Sequence, residues 1–420
     1  MDFFFPDSQD QIDPGFDFET ESRAVFHVRQ RDDRYAHEIH DAPPYAGMLI
    51  SKAIVDGLGG AGRYTAAQRH RLYRLGVRGF FRVDEAPGPR IQTMGDCGAF
   101  SYVADPEPPY TVDEVIDFYE GCGLDLGLSL DHVILDYREA ADDDGDVKPD
   151  WIERQELTLN YAAQFLEVHS RRDCRFEPIG VAQGWSPRSY AHAVKRLQEL
   201  GYTRIGLGGM VPLKTMQILK CLEAIDHVRR ADTRFHLLGV TRTDHVAAFS
   251  AYGVASFDST SPFRQAFKDD RDNYYAIDRT YTALRVPPLE GNAKLQAQIR
   301  AGKIDQEDAQ RLERRCLERI VAYDRDEASL TATLRALRDY DRIHDGRRDR
   351  TDRYRETLED KPWSKCPCAV CRTAGVQVML FRGTERNKRR GFHNLFVFNQ
   401  KLQHNLAALG PGSSSEQEAA

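Results

Sequence analysis

The stretch Pro178-Ile-Gly-Val-Ala-Gln-Gly-Trp-Ser-Pro-Arg-Ser-Tyr-Ala-His-Ala-Val-Lys-Arg-Leu-Gln-Glu-Leu-Gly-Tyr-Thr-Arg-Ile-Gly-Leu-Gly208 decides the fold. A short apolar run over 178–183 is followed by an amphipathic helical pattern over 187–200 and a second apolar run over 204–208. A strand, a helix and a strand in this order are typical of a βαβ unit, in which the two strands are parallel. The stretch therefore predicts an α/β fold.

The same alternation recurs between about residues 45 and 260. Helical patterns lie between many of the apolar runs, so repeated βα units predict a (β/α)8 barrel of the TIM type. In such a barrel the carboxyl ends of the strands form the active-site face. Polar or glycine residues stand at several of these ends, including Asp96, Gln183, Gly208 and Asp258. The eight candidate strands are 47–50, 79–83, 91–95, 132–137, 178–183, 204–208, 235–240 and 254–258.

The rest of the chain divides by composition. Residues 289–360 are dense in charged residues, with apolar residues at helical spacing, and predict a helical insertion. The end of the chain is rich in Gly, Ser and Glu and has nothing to bury, so it is predicted to be disordered. The predicted organisation is an N-terminal extension over 1–44, the barrel over 45–288, the insertion over 289–360, a zinc-binding subdomain with a C-terminal helix over 361–409, and a tail over 410–420.

A cluster of cysteines precedes a single histidine near the C-terminus. The sequence Lys365-Cys-Pro-Cys-Ala-Val-Cys371 is followed by His393, which gives the spacing C-x-C-x2-C-x21-H. Three thiolates and one imidazole complete a tetrahedral shell and leave no position for water or substrate, so the pattern predicts one structural Zn²⁺ per chain. The predicted ligands are Cys366, Cys368, Cys371 and His393. The alternative is a chance cluster of ordinary thiols near an unrelated histidine.

Composition indicates an intracellular enzyme. The chain has 420 residues, of which 41% are hydrophobic and 29% are charged. No apolar run approaches the roughly 20 residues that span a bilayer, and the acidic N-terminus lacks the basic flank of a signal peptide. The remaining cysteines are scattered without a disulfide framework, which suits a reducing compartment. We therefore predict a cytoplasmic protein without disulfides.

A basic segment lies between the cysteine cluster and His393. The formal net charge of −7 argues against a protein that coats nucleic acid nonspecifically. Residues 381–390 nevertheless carry five basic residues against one acid, and they predict contacts to a phosphate backbone. A solvated loop is the alternative. The candidate contacts are Arg386, Lys388, Arg389 and Arg390.

Several motifs, in order along the chain, resemble those of the tRNA-guanine transglycosylase family. They are Thr93-Met-Gly-Asp-Cys-Gly-Ala-Phe100, Ser129-Leu-Asp-His132, Gly180-Val-Ala-Gln-Gly184, Gly206-Leu-Gly-Gly209, Leu237-Leu-Gly-Val240 and Ser256-Phe-Asp258. The resemblance runs from about Leu49 to Leu406. It is greatest to the DpdA-type enzymes, which place 7-deazaguanines in DNA.

This resemblance implies roles for individual residues. Asp258 takes the position of the nucleophile, and Asp96 takes that of the acid/base. By the same resemblance, Phe100 and Leu238 sandwich the base, and Arg264 holds the nucleic acid. The edge of the base is bound by Asp131, Gln183, Gly208 and Gly209. The implied free base is 7-cyano-7-deazaguanine (preQ0).

The nature of the polymer rests on the resemblance. Arg264 favours a tRNA enzyme of the queuosine or archaeosine pathway, whereas Phe267, in place of a second arginine, and the long insertion favour DNA. The sequence Arg389-Arg-Gly-Phe-His-Asn-Leu-Phe396 resembles the DNA branch. A non-catalytic subunit is a further alternative, but such a subunit would be expected to lack one of the two catalytic aspartates. Helper proteins for strand opening and a homodimer are left open.

Overall fold

The structure is a computed structural model that describes residues 1–7, 9–58, 64–268, 271–344 and 348–409. The tail predicted over 410–420 lies outside the described residues. The chain divides into two compact units. Within the described residues, the first unit comprises 1–9, 45–260 and 401–409, and the second comprises 10–44 and 261–400. No described helix is both long and apolar enough to cross a membrane.

The first unit is a closed barrel of eight parallel strands in sequential order. This architecture confirms the predicted (β/α)8 fold. The strands are β1 (Asp2–Pro6), β2 (Gly47–Ser51), β3 (Gln92–Asp96), β4 (Leu126–Leu128), β5 (Glu177–Ala182), β6 (Arg204–Leu207), β7 (Arg234–Leu237) and β8 (Val254–Asp258).

Helices follow most of these strands. After α1 (Ala36–Ile39), which belongs to the second unit, the helices of the first unit are α2 (Lys52–Asp56), α3 (Ala66–Phe81), α4 (Val112–Cys122), α5 (Ala141–Asp144), α6 (Pro149–Arg172), α7 (Pro187–Leu200), α8 (Thr215–Asp226) and α9 (Val246–Ala251). The start of α7 shows why sequence places these helices well. Ser186 caps it by accepting a hydrogen bond from the Ser189 N–H, and Pro187 occupies the first helical position.

The second unit is mainly helical. Its helices are α10 (Ser261–Gln265), α11 (Ala293–Arg300), α12 (Gln306–Asp324), α13 (Leu330–His344), α14 (Thr351–Asp360), α15 (Pro362–Lys365), α16 (Ala369–Ala374) and α17 (Gly383–Ala407), the last of which continues into the first unit. Four two-residue strands accompany them: β9 (Tyr274–Tyr275), β10 (Thr280–Tyr281), β11 (Leu284–Arg285) and β12 (Leu380–Phe381). The predicted insertion over 289–360 holds α11 to α14.

The first strand of the barrel is formed by residues that we assigned to an N-terminal extension. Strand β1 lies between β8 and β2, with Phe3 paired to Phe257 and Phe4 paired to Asp258. Barrel strands are covered on both faces, so their sequences are continuous apolar runs, such as Phe3-Phe4-Phe5, and do not alternate between apolar and polar residues. The remainder of the extension, 10–44, belongs to the second unit, and the barrel ends at 260 rather than at 288.

Two predicted strands are absent. Residues 79–81 lie in α3, where Val77, Phe80 and Phe81 are buried at helical spacing. Residues 132–137 form an irregular segment, and the fourth strand is β4, a few residues earlier. Strand β4, Leu126-Gly-Leu128, has only three residues, so the longer apolar run that follows it gives the stronger sequence signal for a strand.

Side chains fill the inside of the barrel. Phe4 contributes the largest of them, and the ring lies so close to β2 that a Cβ at Gly47 would stand 2.2 Å from it. The glycine therefore makes room for the ring. The interior cluster consists of Phe4, Leu49, Met94, Leu126, Leu128, Ile179 and Val181.

We expect Phe4→Ala to lower the free energy of unfolding by about 3–5 kcal/mol, because it removes a buried ring from the core. The matched control is Phe26→Ala, since the Phe26 side chain is 88% exposed and its loss should change stability by less than about 0.5 kcal/mol. Urea unfolding of both variants checks this. Equal stabilities would mean that β1 is a loose extension and not a barrel strand.

Candidate active site and metal centre

The carboxyl ends of the strands bring the predicted catalytic and base-binding residues to one face of the barrel. Asp96 ends β3 and Asp258 ends β8. The others follow a strand within three residues: Asp131 after β4, Gln183 after β5, Gly208 and Gly209 after β6, and Leu238 after β7. Because β4 lies earlier than predicted, Asp131 stands three residues after the carboxyl end of this strand.

Asp131 is buried and held by hydrogen bonds to both of its carboxylate oxygens. Cys97 Sγ donates to Oδ1 over 3.0 Å, and Gln183 Nε2 donates to Oδ2 over 2.6 Å. Tyr102 supports this arrangement, since its hydroxyl lies 3.0 Å from Cys97 Sγ. Burial raises the pKa of Asp131, and the two hydrogen bonds oppose that rise. The carboxylate is fixed in direction, and each oxygen keeps a lone pair for a ligand.

Gln183 is positioned by the glycines of the next strand end. Its Oε1 accepts a hydrogen bond from the Ile134 N–H over 3.2 Å. A Cβ at Gly208 would lie 2.1 Å from Gln183 Nε2, and a Cβ at Gly209 would lie 2.4 Å from the Ile134 carbonyl oxygen. Gly209 also has a φ of 70°, which side chains disfavour. Glycine is therefore required at both positions for the backbone to approach Gln183.

Asp258 is buried, and both of its donors reach the same oxygen. The Gly239 N–H lies 2.9 Å and His236 Nε2 lies 3.2 Å from Oδ1. His236 Nδ1 lies 2.8 Å from Ser256 Oγ, so a hydroxyl that donates to Nδ1 favours the tautomer that carries its hydrogen on Nε2. Oδ2 takes part in neither contact. Asp258 is thus oriented with one oxygen held.

His236 is a site residue that our sequence analysis missed. The available signal was a histidine within the apolar strand Phe235-His236-Leu237. Side chains alternate across a strand, so His236 shares the inner face with Leu238, and its ring lies edge-on to Phe4 at 5.7 Å. A polar residue on the inner face of a barrel strand, two residues before a predicted ligand contact, indicates a site rather than core packing.

The pKa of Asp96 is strongly raised. Burial is the main cause, with the charges of Asp131 and Asp258 adding to it, and together they raise the pKa of Asp96 to about 7. The Gly98 N–H hydrogen bond acts in the opposite direction. Near neutral pH, Asp96 is therefore present both as acid and as carboxylate, which is the property of a proton-transfer group.

Asp96, Cys97 and Asp131 also have the geometry of a small metal cluster, with candidate ligand atoms within 4.8 Å of one another. Burial raises the pKa of Cys97 far above its usual range. In this geometry the Cys97 thiol donates a hydrogen bond to Asp131 and helps to hold that carboxylate.

The two predicted stacking residues differ in burial. Phe100 lies in a short 3-10 helix, Ala99–Tyr102, directly after β3, and its side chain is 52% exposed. A side chain this exposed does not pack in the core. Leu238 is partly buried and packs against the interior cluster of the barrel.

The basic segment is not a binding surface in this structure. Arg386, Arg389 and Arg390 are buried, and Lys388 is partly buried, with its Nζ donating to the Gln11 carbonyl over 3.1 Å. Since phosphates cannot reach buried guanidinium groups, the structure does not support the predicted phosphate contacts. Arg264, by contrast, is exposed on α10.

The buried arginines hold the second unit together. Arg386 pairs with Glu21 at 2.7 Å, and Arg389 pairs with Glu385 at 2.8 Å. Within the described parts of the chain, no carboxylate pairs with Arg390. It donates instead to the carbonyls of Val378, Leu380 and Ala266 and to the side chain of Asn387, and burial lowers its pKa to about 9. The basic residues of this segment are structural.

The predicted zinc ligands meet in the second unit. His393 Nδ1 lies 3.4, 3.5 and 3.3 Å from the sulfur atoms of Cys366, Cys368 and Cys371. Tetrahedral zinc with normal bond lengths would separate nitrogen and sulfur ligands by about 3.6 Å, so the residues fit this ion. The arrangement supports a metal site with four protein ligands.

Neighbouring groups orient the histidine ligand. His393 Nε2 donates to the Tyr275 carbonyl over 2.8 Å, which leaves Nδ1 free for a metal ion. The Tyr274 ring stacks on the imidazole at 3.9 Å, and its hydroxyl lies 3.3 Å from Cys371 Sγ. A closed, supported site of this kind stabilises a fold and has no place for a substrate.

Comparison with known proteins gives one informative relative. No protein-family model matches the chain. A curated protein of Salmonella montevideo called "DNA-guanine transglycosylase" is 48% identical over 414 residues, which cover 97% of this chain and 98% of the relative. The similarity therefore spans both units.

We expect Cys368→Ala to lose the bound metal and to melt at a lower temperature, because metal coordination can supply on the order of 10 kcal/mol of folding free energy. The matched control is Cys174→Ala, which removes a thiol outside the metal cluster and should keep the metal. Elemental analysis for zinc and thermal melts give the two readouts. Unchanged melting with loss of turnover alone would contradict the structural role.

Proposed function

Because the chain belongs to the DNA-guanine transglycosylases, we propose that it exchanges guanine in DNA for preQ0 through a covalent glycosyl-aspartate. The chain is thus an enzyme of the glycosyltransferase type. The observation that supports the mechanism is that two different carboxyl groups lie at the same end of the barrel. Asp258 is oriented by two donors to one oxygen, and the pKa of Asp96 is raised to about 7.

The reaction consists of two displacements at C1′ of the target nucleotide. In the first, an oxygen of Asp258 bonds to C1′, the bond to guanine N9 breaks, and Asp96 protonates the departing base. In the second, N9 of preQ0 bonds to C1′, the bond to Asp258 breaks, and Asp96 accepts the N9 proton. Two inversions return the original configuration, as in retaining glycosidases. The DNA strand stays intact throughout.

The surroundings of Asp258 support its role as nucleophile. Gly239 and His236 both contact Oδ1, which leaves Oδ2 as the attacking atom. We propose that His236 is a positioning residue, since it acts on the sugar only through Asp258. Ser256 in turn fixes the imidazole ring.

Asp131 supports selection of the base. A guanine presents an N1–H and a 2-amino group on one edge, and preQ0 presents the same two donors. Two carboxylate oxygens can accept both hydrogen bonds, whereas adenine offers no such pair. We propose that Gln183 and the backbone of Gly208 and Gly209 complete this contact. The Phe100 ring and Leu238 would cover the two faces of the base.

The target must leave the base stack before it can enter this pocket. Flipping a base out of a duplex costs a few kcal/mol, part of which stacking on Phe100 would return. Arg264 remains a proposed phosphate contact on the flipped strand. The duplex is opened either by this chain alone or with helper proteins, and the activity of the purified chain on plasmid DNA distinguishes the two.

We expect purified protein to transfer label from radioactive preQ0 into plasmid DNA and not into tRNA. Denaturing washes followed by counting of each polymer measure this. Asp258→Ala should abolish both incorporation and any covalent protein–DNA adduct, because it removes the attacking carboxylate. Label in tRNA alone would replace the DNA substrate by tRNA, and no label in either polymer would favour a non-catalytic subunit.

A companion variant separates positioning from attack. We expect His236→Asn to slow incorporation while an adduct still forms, since Asp258 keeps its carboxylate and the Gly239 contact. An adduct that survives in Asp258→Ala would contradict the assignment of the nucleophile.

The two displacements should depend on pH in opposite directions. Guanine release needs protonated Asp96, so its single-turnover rate should fall about tenfold per unit as pH rises beyond about 7. Incorporation of preQ0 needs the carboxylate and should fall as pH drops below the same value. Asp96→Asn should lose roughly 10²–10⁴-fold in rate and show neither limb. Persistence of both limbs in that variant would assign them to another group.

A further inference from the structure

Helix α13 carries three arginines on one face. Arg335, Arg338 and Arg342 follow the spacing i, i+3, i+7, which places them within one narrow stripe of a helix. All three are exposed, whereas Leu334, Leu337 and Tyr340 on the opposite side are buried. We call Arg335, Arg338 and Arg342 the arginine face.

The arginine face has little internal neutralisation. Among the described residues, no carboxylate forms a direct ion pair with Arg335 or Arg338, although Asp349 interacts electrostatically with Arg338. Arg342 has one long contact, 3.9 Å to Asp339. Two arginines of the same unit illustrate the contrast: Arg382 pairs with Glu21 at 2.6 Å, and Arg311 on α12 pairs with Asp308 at 2.6 Å. The three guanidinium groups therefore remain available to an external anion.

The helix that presents the arginine face is held in place by its buried side. The Tyr340 hydroxyl donates to the Pro287 carbonyl, and the Thr333 hydroxyl lies within hydrogen-bonding distance of the carbonyls of Ser329 and Arg319. The backbone positions of the arginines are thus fixed relative to one another. Little ordering of the backbone is needed when a ligand binds.

We propose that the arginine face binds the phosphate backbone of duplex DNA. Seven residues of helix rise about 10 Å, and one DNA strand places a phosphate every 3.4 Å or so along the helix axis, so the stripe spans about three phosphates. Arginine forms paired hydrogen bonds with phosphate oxygens, which suits it to this contact. DNA as the partner rests on the proposed function. The surface takes the place of the basic segment around Arg386, which is buried.

We expect the triple variant Arg335→Gln, Arg338→Gln, Arg342→Gln to weaken binding to a short duplex on the order of 100-fold at about 0.1 M salt. The slope of log affinity against log salt should become shallower by about 0.9 per lost contact, or roughly 2.7 in all. Fluorescence anisotropy over a salt series measures both. In the exchange reaction, KM for DNA should rise while kcat at saturating DNA stays unchanged.

Two controls separate this contact from net charge and from misfolding. The triple variant Arg31→Gln, Arg204→Gln, Arg311→Gln removes the same charge from arginines that each have a carboxylate within 2.8 Å, and it should keep the wild-type slope. Replacing the arginine face by lysines should restore most of the slope. An unchanged slope in the variant that replaces all three arginines of the arginine face by glutamine would overturn the proposal. A change of its oligomeric state with DNA affinity intact would overturn it too. Binding needs no turnover, so a failure of base exchange leaves this result independent.

Discussion

Closure of the barrel by β1 is the constraint on which the rest of the structure depends. A parallel barrel without its first strand would leave the backbone groups of β8 and β2 unpaired, since only a closed sheet has no edge. Strand β1 supplies the missing hydrogen bonds, and its register sets Phe4 beside Asp258. The Phe4 ring then fills the interior beneath the mouth. A few residues at the N-terminus therefore set the floor and one wall of the candidate site.

The mouth of the barrel holds three carboxylates in different environments. Asp131 and Asp258 each receive two hydrogen-bond donors from the protein, whereas burial and the charges of these two neighbours raise the pKa of Asp96. Like charges in a desolvated site cannot all be ionised at low cost. Burial and the two neighbouring charges therefore raise the pKa of Asp96 to about 7, although hydrogen bonds from Gly98 and Ser51 oppose the rise.

Arginines of the second unit have two distinct functions, and partner acids decide between them. Arg386 and Arg389 are buried because Glu21 and Glu385 neutralise them. The arginine face of α13 is exposed and has almost no such partner. A buried charge without compensation is costly, so the buried guanidinium groups have either a carboxylate partner or, at Arg390, several hydrogen bonds to carbonyl oxygens. The local density of basic residues along the chain therefore says little about which of them can meet a polyanion.

The fold class could be predicted from the sequence, because the βα alternation follows from local periodicity, but two of the eight strands and the role of β1 could not. The candidate metal ligands could be predicted as well, since three cysteines within six residues and one histidine form a tetrahedral donor set. Tertiary structure alone decided that Phe3 to Phe5 close the barrel, that His236 orients Asp258, and that Arg386 to Arg390 are internal. Each of these depends on partners far away in the chain: Asp258 for β1, and Asp13 and Glu21 for the arginines. The local sequence pattern indicates which secondary structure a segment favours. Its burial and its hydrogen-bond or ion-pair partners depend on the distant groups that folding brings next to it.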